Sequence, residues 1–284
     1  MATVDLHIHT TASDGKHTAA EIVHLAAKRG LEVMAVTDHD SVEGIPAALE
    51  TARSYPQLRF IPGVELSTDV DKGEVHVLGY FIDYTDAEFL ASLERMRNSR
   101  VGRARKMVDK LAQLGIRIEW RRVQEIAGGG AIGRPHIAQA MLEKGYIKSM
   151  QDAFRNYIGH GGPAYVERDK LTPAEAVRLI LKASGLPVLA HPMTSGDVEA
   201  TIAELKTVGL IGIEAYYASY SDEEINLLLG LARKYGLIAT GGTDYHGIDD
   251  TTETYIGGLD VPALAGEQLV ILAEKRGLKT FHLR

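Results

Sequence analysis

The chain has 284 residues, 45% hydrophobic and 24% charged, which suits a folded protein with a sizeable core, built as one barrel or as two small domains. It contains no cysteine, so disulfides, thiolate nucleophiles and zinc–thiolate sites are excluded, and any metal must be bound by nitrogen and oxygen. A formal charge of -7 argues against whole-protein affinity for nucleic acid or anionic membrane, though it leaves room for a local basic patch.

Met1 leads straight into an apolar stretch ending in His7, with no basic leader before it, and no apolar run approaches the ~18 residues of a membrane span. The simplest location is the cytoplasm, with no stable protein partner implied. Short β-branched runs then alternate with helix-period segments, the pattern of βα units building a mostly parallel sheet. Strands are expected over residues 4–9, 33–38, 60–66, 75–82, 186–191, 211–216 and 238–243. Thr18 with Glu21 forms a capping box for a helix that Gly30 closes, and Thr172, Pro173 and Glu175 open another that ends at Gly185. Later helices are expected over 198–208, 222–235 and 266–275.

The alternation breaks between about residues 86 and 169, which read as several helices with Gly-rich joints at 128–130 and 159–163. The reading is an α/β fold: a barrel from residues 1–85 and 170–284, with an all-helical insertion, 86–169, capping it. The insertion's first helix, 86–114, is long and carries Arg95, Arg97, Arg100, Arg103, Arg105, Lys106 and Lys110. A phosphate-binding face and a solvated face behind the apolar stripe Val101, Ala104, Val108 and Leu111 are both open readings.

Six of eleven histidines fall at or next to the expected C-terminal strand ends, which in a β/α barrel converge on one face. His7 and His9, two apart on a strand, point to one side and can grip one ion, with Asp14 in reach from the next loop. The apolar strand at 33–38 stops in Asp38-His39-Asp40, where His39 is a candidate ligand and Asp38 would orient an imidazole through its other nitrogen. Glu65 suits a central position because a carboxylate can bridge two hard cations and a neutral imidazole cannot. His76 taken alone reads as a satisfied core histidine. His191, Asp244 and His246 complete the set at two further strand ends, and Glu214 is a carboxylate that would need a partner if buried. His17, His24 and His282 read as surface groups. His160 can approach substrate from its Gly-rich turn, and Tyr216, Tyr217 and Tyr220 can wall a nucleobase pocket or pack in the rim.

His7-Ile8-His9 with Asp14, Thr37-Asp38-His39, Gly63-Val64-Glu65, His76, Ala190-His191-Pro192 and Thr243-Asp244-Tyr245-His246 strongly resemble the motifs of the PHP (polymerase and histidinol phosphatase) superfamily, from end to end of the chain. The resemblance implies a distorted seven-stranded (β/α)7 barrel and two or three divalent ions, Mn first and Fe, Zn or Mg as alternatives. Its ligands would be His7, His9, Asp14, His39, Glu65, His76, His191, Asp244 and His246, with Asp14 standing where many members have a histidine. The insertion and Gly133-Arg134-Pro135-His136 are most similar to the branch of 3′,5′-nucleotide bisphosphate phosphatases and short-RNA 5′-exonucleases. Arg134 and His136 would then contact a substrate phosphate, while Gly162 replaces a basic residue that members often carry.

Ions about 3.5 to 4 Å apart can acidify a shared water for attack on phosphorus. His246, His191 or a metal-bound water would supply the leaving oxygen's proton, and His191, His246 and Asp244 are the candidate catalytic residues. The expected substrate is a small phosphorylated nucleotide or short oligonucleotide. A histidinol-phosphate phosphatase, a non-catalytic metal-binding module and an amidohydrolase are the alternatives.

Overall fold

Seven strands pair strictly in chain order: β1 (Val4–Asp5), β2 (Val33–Val36), β3 (Arg59–Asp69), β4 (Glu74–Tyr80), β5 (Leu186–Leu189), β6 (Gly212–Tyr217) and β7 (Ile238–Gly242). The structure is a computed structural model and describes residues 3–69, 74–128, 132–167, 171–248 and 253–278. The expected sites at Gly129, Gly130 and His282 lie outside the described residues.

All seven expected strands are present, with one departure of direction. β4 runs antiparallel to both β3 and β5, and the other four pairs are parallel. The cause is connection length: β3 continues to Asp69 and β4 starts at Glu74, leaving too few residues for the dozen or so of a parallel crossover. His76 therefore reaches the barrel mouth from the beginning of its strand, whereas the sequence reading placed such histidines at strand ends.

β1 is also shorter than the expected 4–9. Beyond Asp5, the Thr37 hydroxyl accepts the Ile8 N–H at 3.2 Å, in place of a backbone carbonyl. The chain nevertheless stays extended and closes the barrel: Leu6 N–H donates to Gly241 O at 3.2 Å and His9 N–H to Tyr245 O at 2.9 Å. Gly242 permits that approach, since a Cβ there would lie 2.4 Å from His7 N.

Helices α1 (Ala19–Lys28) and α2 (Ile45–Ala52) pack on the first strands. The expected capping boxes at Thr18/Glu21 and Thr172/Glu175 are both formed. The segment between β4 and β5 is helical, as read: α3 (Ala87–Gln113), α4 (Trp120–Ala127), α5 (Arg134–Glu143), α6 (Met150–Ala153) and a π-helical turn (Phe154–Ile158). The rest of the outer layer is α7 (Pro173–Lys182), α8 (Val198–Thr207), α9 (Asp222–Tyr235) and α10 (Ala263–Lys275), the last starting three residues before the expected 266 because Pro262 supplies its start.

Strand alternation sorts the core. Met34, Val36, Phe60 and Val64 join one cluster with α1, α2 and α7, while Ala35, Ile61, Leu78, Tyr80 and Val188 join another with α10. Met107, Leu111, Val123, Ile137, Met141 and Ile158 form a third, contributed by α3–α5 and the π turn. Two ion pairs, Arg97–Glu43 and Arg100–Asp40, tie α3 to the loop after β2.

Asp5 fastens the first strand to the last. Its carboxylate accepts from Thr243 N–H at 3.0 Å, the Thr243 hydroxyl at 2.8 Å and Gly257 N–H at 2.9 Å, and it is fully buried. Removing it strands several buried donors at once, each loss worth about 1–3 kcal/mol. Asp5→Ala should lower unfolding stability in urea by roughly 3 kcal/mol or more, with Asp5→Asn keeping part of it; a loss below about 1 kcal/mol would show that the barrel closes without this clasp.

Candidate metal centre

Glu65, on β3, is the middle of the site. Its Oε2 lies 3.3 Å from His7 Nε2, 3.3 Å from His9 Nε2 and 3.0 Å from His39 Nδ1. Its Oε1 lies 2.8 Å from His76 Nδ1 and 3.1 Å from His191 Nε2. Asp244 stands across from it, with Oδ1 at 3.2 Å from His7 Nε2 and 3.0 Å from His9 Nε2. Asp14 takes the outer edge, with Oδ1 3.4 Å from His246 Nε2 and 3.7 Å from His9 Nδ1. All nine candidate ligands thus come together at one end of the barrel, His7 and His9 facing the same oxygens.

Donor atoms within 4.8 Å of one another fall into three overlapping groups: His7, His9, Glu65 and Asp244; His9, Asp14, His39 and His246; His39, Glu65 and His76. The donor set fits divalent cations. His7 Nε2, His9 Nε2, Asp14 Oδ1 and Glu65 Oε2 are buried with no hydrogen-bond partner, and all four point into the same cage. Buried polar atoms are normally satisfied, so four orphans aimed at one another are the signature of a cation position.

A second layer holds these groups in place. Glu214 Oε1 is 3.0 Å from His7 Nδ1, and its Oε2 accepts the His191 N–H at 2.8 Å, so the carboxylate foreseen as needing a partner has two. Asp38 accepts from Thr10 N–H at 2.7 Å, the Thr10 hydroxyl at 2.7 Å and the Ser13 hydroxyl at 2.6 Å, fixing the loop that carries Asp14. Asp38 therefore acts on a loop, where the sequence reading had it orienting an imidazole directly. Asp40 accepts from Ser67 N–H at 3.0 Å and from Arg100 Nε at 2.5 Å, and Arg100 also donates to the Ser67 hydroxyl, which lies 3.3 Å from His39 Nδ1. Three non-glycine residues here have left-handed φ: Asp40 at 49°, His191 at 26° and Asp244 at 53°. Such strain gathers where the surroundings over-determine a site.

Burial works against every charge in the cage, and the neighbours decide the outcome. It would raise Glu65, yet His39, His76 and His7 hold the carboxyl well below the usual range. Asp14 and Asp244 are likewise held low by their imidazoles. Burial also lowers His9, but Asp244 and Glu65 push it up to about 10. His39 goes down, because burial outweighs Glu65 and Asp14.

A cavity of about 190 Å³ adjoins the cage; His39, His76, Asp14 and His246 line it together with Arg100, Arg103 and Arg134. Met107, Ile132 and Phe154 supply apolar wall. Arg134 lies over the Phe154 ring, 5.4 Å from its centroid. His136 is buried behind it, its Nδ1 accepting Gly133 N–H at 2.9 Å. His160 packs near Tyr165, and Tyr220 accepts Met193 N–H at 3.0 Å. Ser67 carries no sequence signal as a site residue; Tyr217, read from the sequence as a pocket-wall or rim residue, donates to Asp244 Oδ2 at 2.8 Å, and Asp40 and Arg100 had a signal in the acidic strand end and the basic helix.

Residues 5–182 match the model of the PHP domain family. The 5′-3′ exoribonuclease Rnm of Escherichia coli is 36% identical over 250 residues, covering 85% of this chain and 84% of that protein. The 3′,5′-nucleoside bisphosphate phosphatase of Chromobacterium violaceum is 33% identical over 258 residues, covering 87% and 88%. A solved structure of an amidohydrolase from Chromobacterium violaceum, with bound sulfate and no metal, matches with TM-score 0.87 and 31% identity over 97% of each chain.

Ion binding requires neutral imidazole, and Asp244 and Glu65 push His9 up to about 10, so at neutral pH an incoming cation must displace its proton. Mn(II) added to chelator-stripped protein at pH 7 should release protons, detectable with a pH indicator, and apparent affinity should rise from pH 6 to 9; affinity that stays level would mean that the cage imidazoles are already neutral.

Proposed function

This chain belongs to the PHP domain family and is a metal-dependent phosphoesterase; on that premise we propose that it acts on phosphorylated nucleotides. The substrates assigned are the 3′-phosphate of 3′,5′-bisphosphate nucleotides (pAp to AMP) and 5′-phosphorylated short oligoribonucleotides. The observation that carries this reading is the cavity itself: residues of the carboxylate–imidazole cage and three arginines line one space of about 190 Å³. A substrate with one phosphate at the cage and a second charge toward the arginines complements both sides. The names of the exoribonuclease and bisphosphate phosphatase relatives support it.

His7, His9, Asp14, His39, Glu65, His76, His191, Asp244 and His246 would hold two or three divalent ions, Mn(II) foremost, and the three overlapping donor groups favour three. Bound ions would supply Lewis acidity toward the phosphoryl oxygens and lower the pKa of water. The chain's own residues do the rest. Arg134, which lines the cavity, grips the phosphate that is not cleaved; His136, assigned to the same phosphate, is buried with its Nδ1 occupied by Gly133 N–H, which leaves only Nε2 for that contact. His246 Nδ1 lies 2.8 Å from the Asp244 carbonyl, which directs Nε2 toward Asp14 and the cavity. Of the three candidate catalytic residues, His191, Asp244 and His246, it is His246 that lines the cavity.

The insertion, residues 86–169, is assigned the role of a cap that contributes Arg100, Arg103 and Arg134 to the cavity. No helix among the described residues is long and apolar enough to cross a membrane, and a cytoplasmic location is proposed.

Phosphate release from pAp and 5′-phosphorylated short RNA should appear with Mn(II) and vanish on chelation, exceeding release from histidinol phosphate; preference for histidinol phosphate, or hydrolysis of amides alone, would overturn the assignment. His39→Ala and Glu65→Ala should each reduce turnover at least 100-fold, beyond the roughly 10–100-fold typical of outer-layer partners, with circular dichroism unchanged. Arg134→Ala should raise KM for pAp about 10- to 100-fold, the loss of one charged hydrogen-bonding group, while hydrolysis of a simple aryl phosphate is largely spared; equal losses on both substrates would remove Arg134 from nucleotide recognition.

A further inference from the structure

β6 carries two side chains into the cage, and a regular strand could not do so. Glu214 and Tyr217 are three residues apart, and with a period of two such residues point to opposite faces. The ladder with β7 is irregular here: Glu214 pairs with Thr240 and Tyr216 with Gly241, so Ala215 is skipped. One extra residue reverses the parity of everything after it. Glu214 reaches His7 and the His191 backbone, and beyond the bulge Tyr217 turns to the same side and donates to Asp244 Oδ2 at 2.8 Å.

Asp244 sits where such a donor matters. Its Oδ1 faces His7 Nε2 and His9 Nε2 at 3.2 and 3.0 Å, which leaves Oδ2 as the atom by which the carboxylate can be oriented. Its side chain is one-fifth exposed whereas that of Glu65 is buried, so packing restrains it less than it restrains Glu65. Tyr217 is itself anchored, with its ring 5.7 Å from that of His191 and 5.0 Å from that of Tyr220. The Tyr220 hydroxyl in turn accepts the Met193 N–H.

We infer that Tyr217, delivered by the β6 bulge, is a positioning residue that locks the Asp244 carboxylate and thereby sets the affinity of the ion held by His7, His9, Glu65 and Asp244. This goes beyond the proposed function and rests on its metal reading. Tyr217 touches no reacting atom in this role. A carboxylate free to rotate presents Oδ1 to the ion for only part of the time, whereas one fixed through Oδ2 is preorganised.

The test uses Mn(II) as probe, in competition with a chelating indicator, on the full chain. Tyr217→Phe keeps the ring and its packing and removes only the hydroxyl. It should weaken one Mn(II) by about 10- to 100-fold and leave the remaining sites unchanged, with kcat recovering as Mn(II) is raised. In an Asp244→Asn background the same change should alter affinity by less than about two-fold, as a residue acting through Asp244 must. Unchanged affinity in Tyr217→Phe, or a full loss that persists in the Asp244→Asn background, would overturn the inference while leaving the metal reading intact. Wild-type protein that takes up no Mn(II) would overturn both.

Discussion

One carboxylate surrounded by five imidazoles is the constraint on which the rest of this molecule depends. Glu65 is buried, and His7, His9, His39, His76 and His191 all approach its two oxygens within 3.3 Å. Such a group cannot be stable in an apolar interior unless positive charge is supplied, either by protonated imidazole or by bound cations. The depressed Glu65 and Asp244 and the raised His9 describe the first answer, and the orphaned donor atoms prepare the second. Folding and ion binding are therefore two responses to the same concentration of buried ligand atoms.

The barrel's architecture exists around this problem in a concrete sense. Each loop that bears a ligand is tied by a buried acid of its own: Asp5 joins the strand before His7 to Thr243 beside Asp244, Asp38 holds the loop of Asp14, and Glu214 holds both His7 and the His191 backbone. These carboxylates accept backbone and hydroxyl donors, which offset the cost of their burial and leave little freedom for the loops. Precision at the mouth of the barrel thus comes from hydrogen bonds beneath it as much as from the strands themselves.

The helical segment completes the chemistry from the other side. Arg100 crosses from α3 to pair with Asp40 and Ser67, and Ser67 neighbours His39, so barrel and insertion share one polar network at the edge of the cage. Three arginines and the apolar side chains of Met107, Ile132 and Phe154 line the same cavity.

The amino-acid sequence alone was enough to locate the seven strands, the capping boxes and the nine ligand-type residues, because periodicity, caps and residue chemistry are local properties. His7-Ile8-His9, Asp38-His39-Asp40 and Asp244-Tyr245-His246 announce themselves within a few residues. What tertiary structure decided is everything that rests on pairing between distant segments. The antiparallel β4 brings His76 to the mouth by its first residues, and the contact between Gly242 and His7 closes the barrel. Asp40 meets Arg100 across 60 positions, and the bulge at Ala215 turns Tyr217 toward Asp244. Parity, register and cross-barrel contact are set by the ladder as a whole, and no window of the chain contains the partner strand that fixes them.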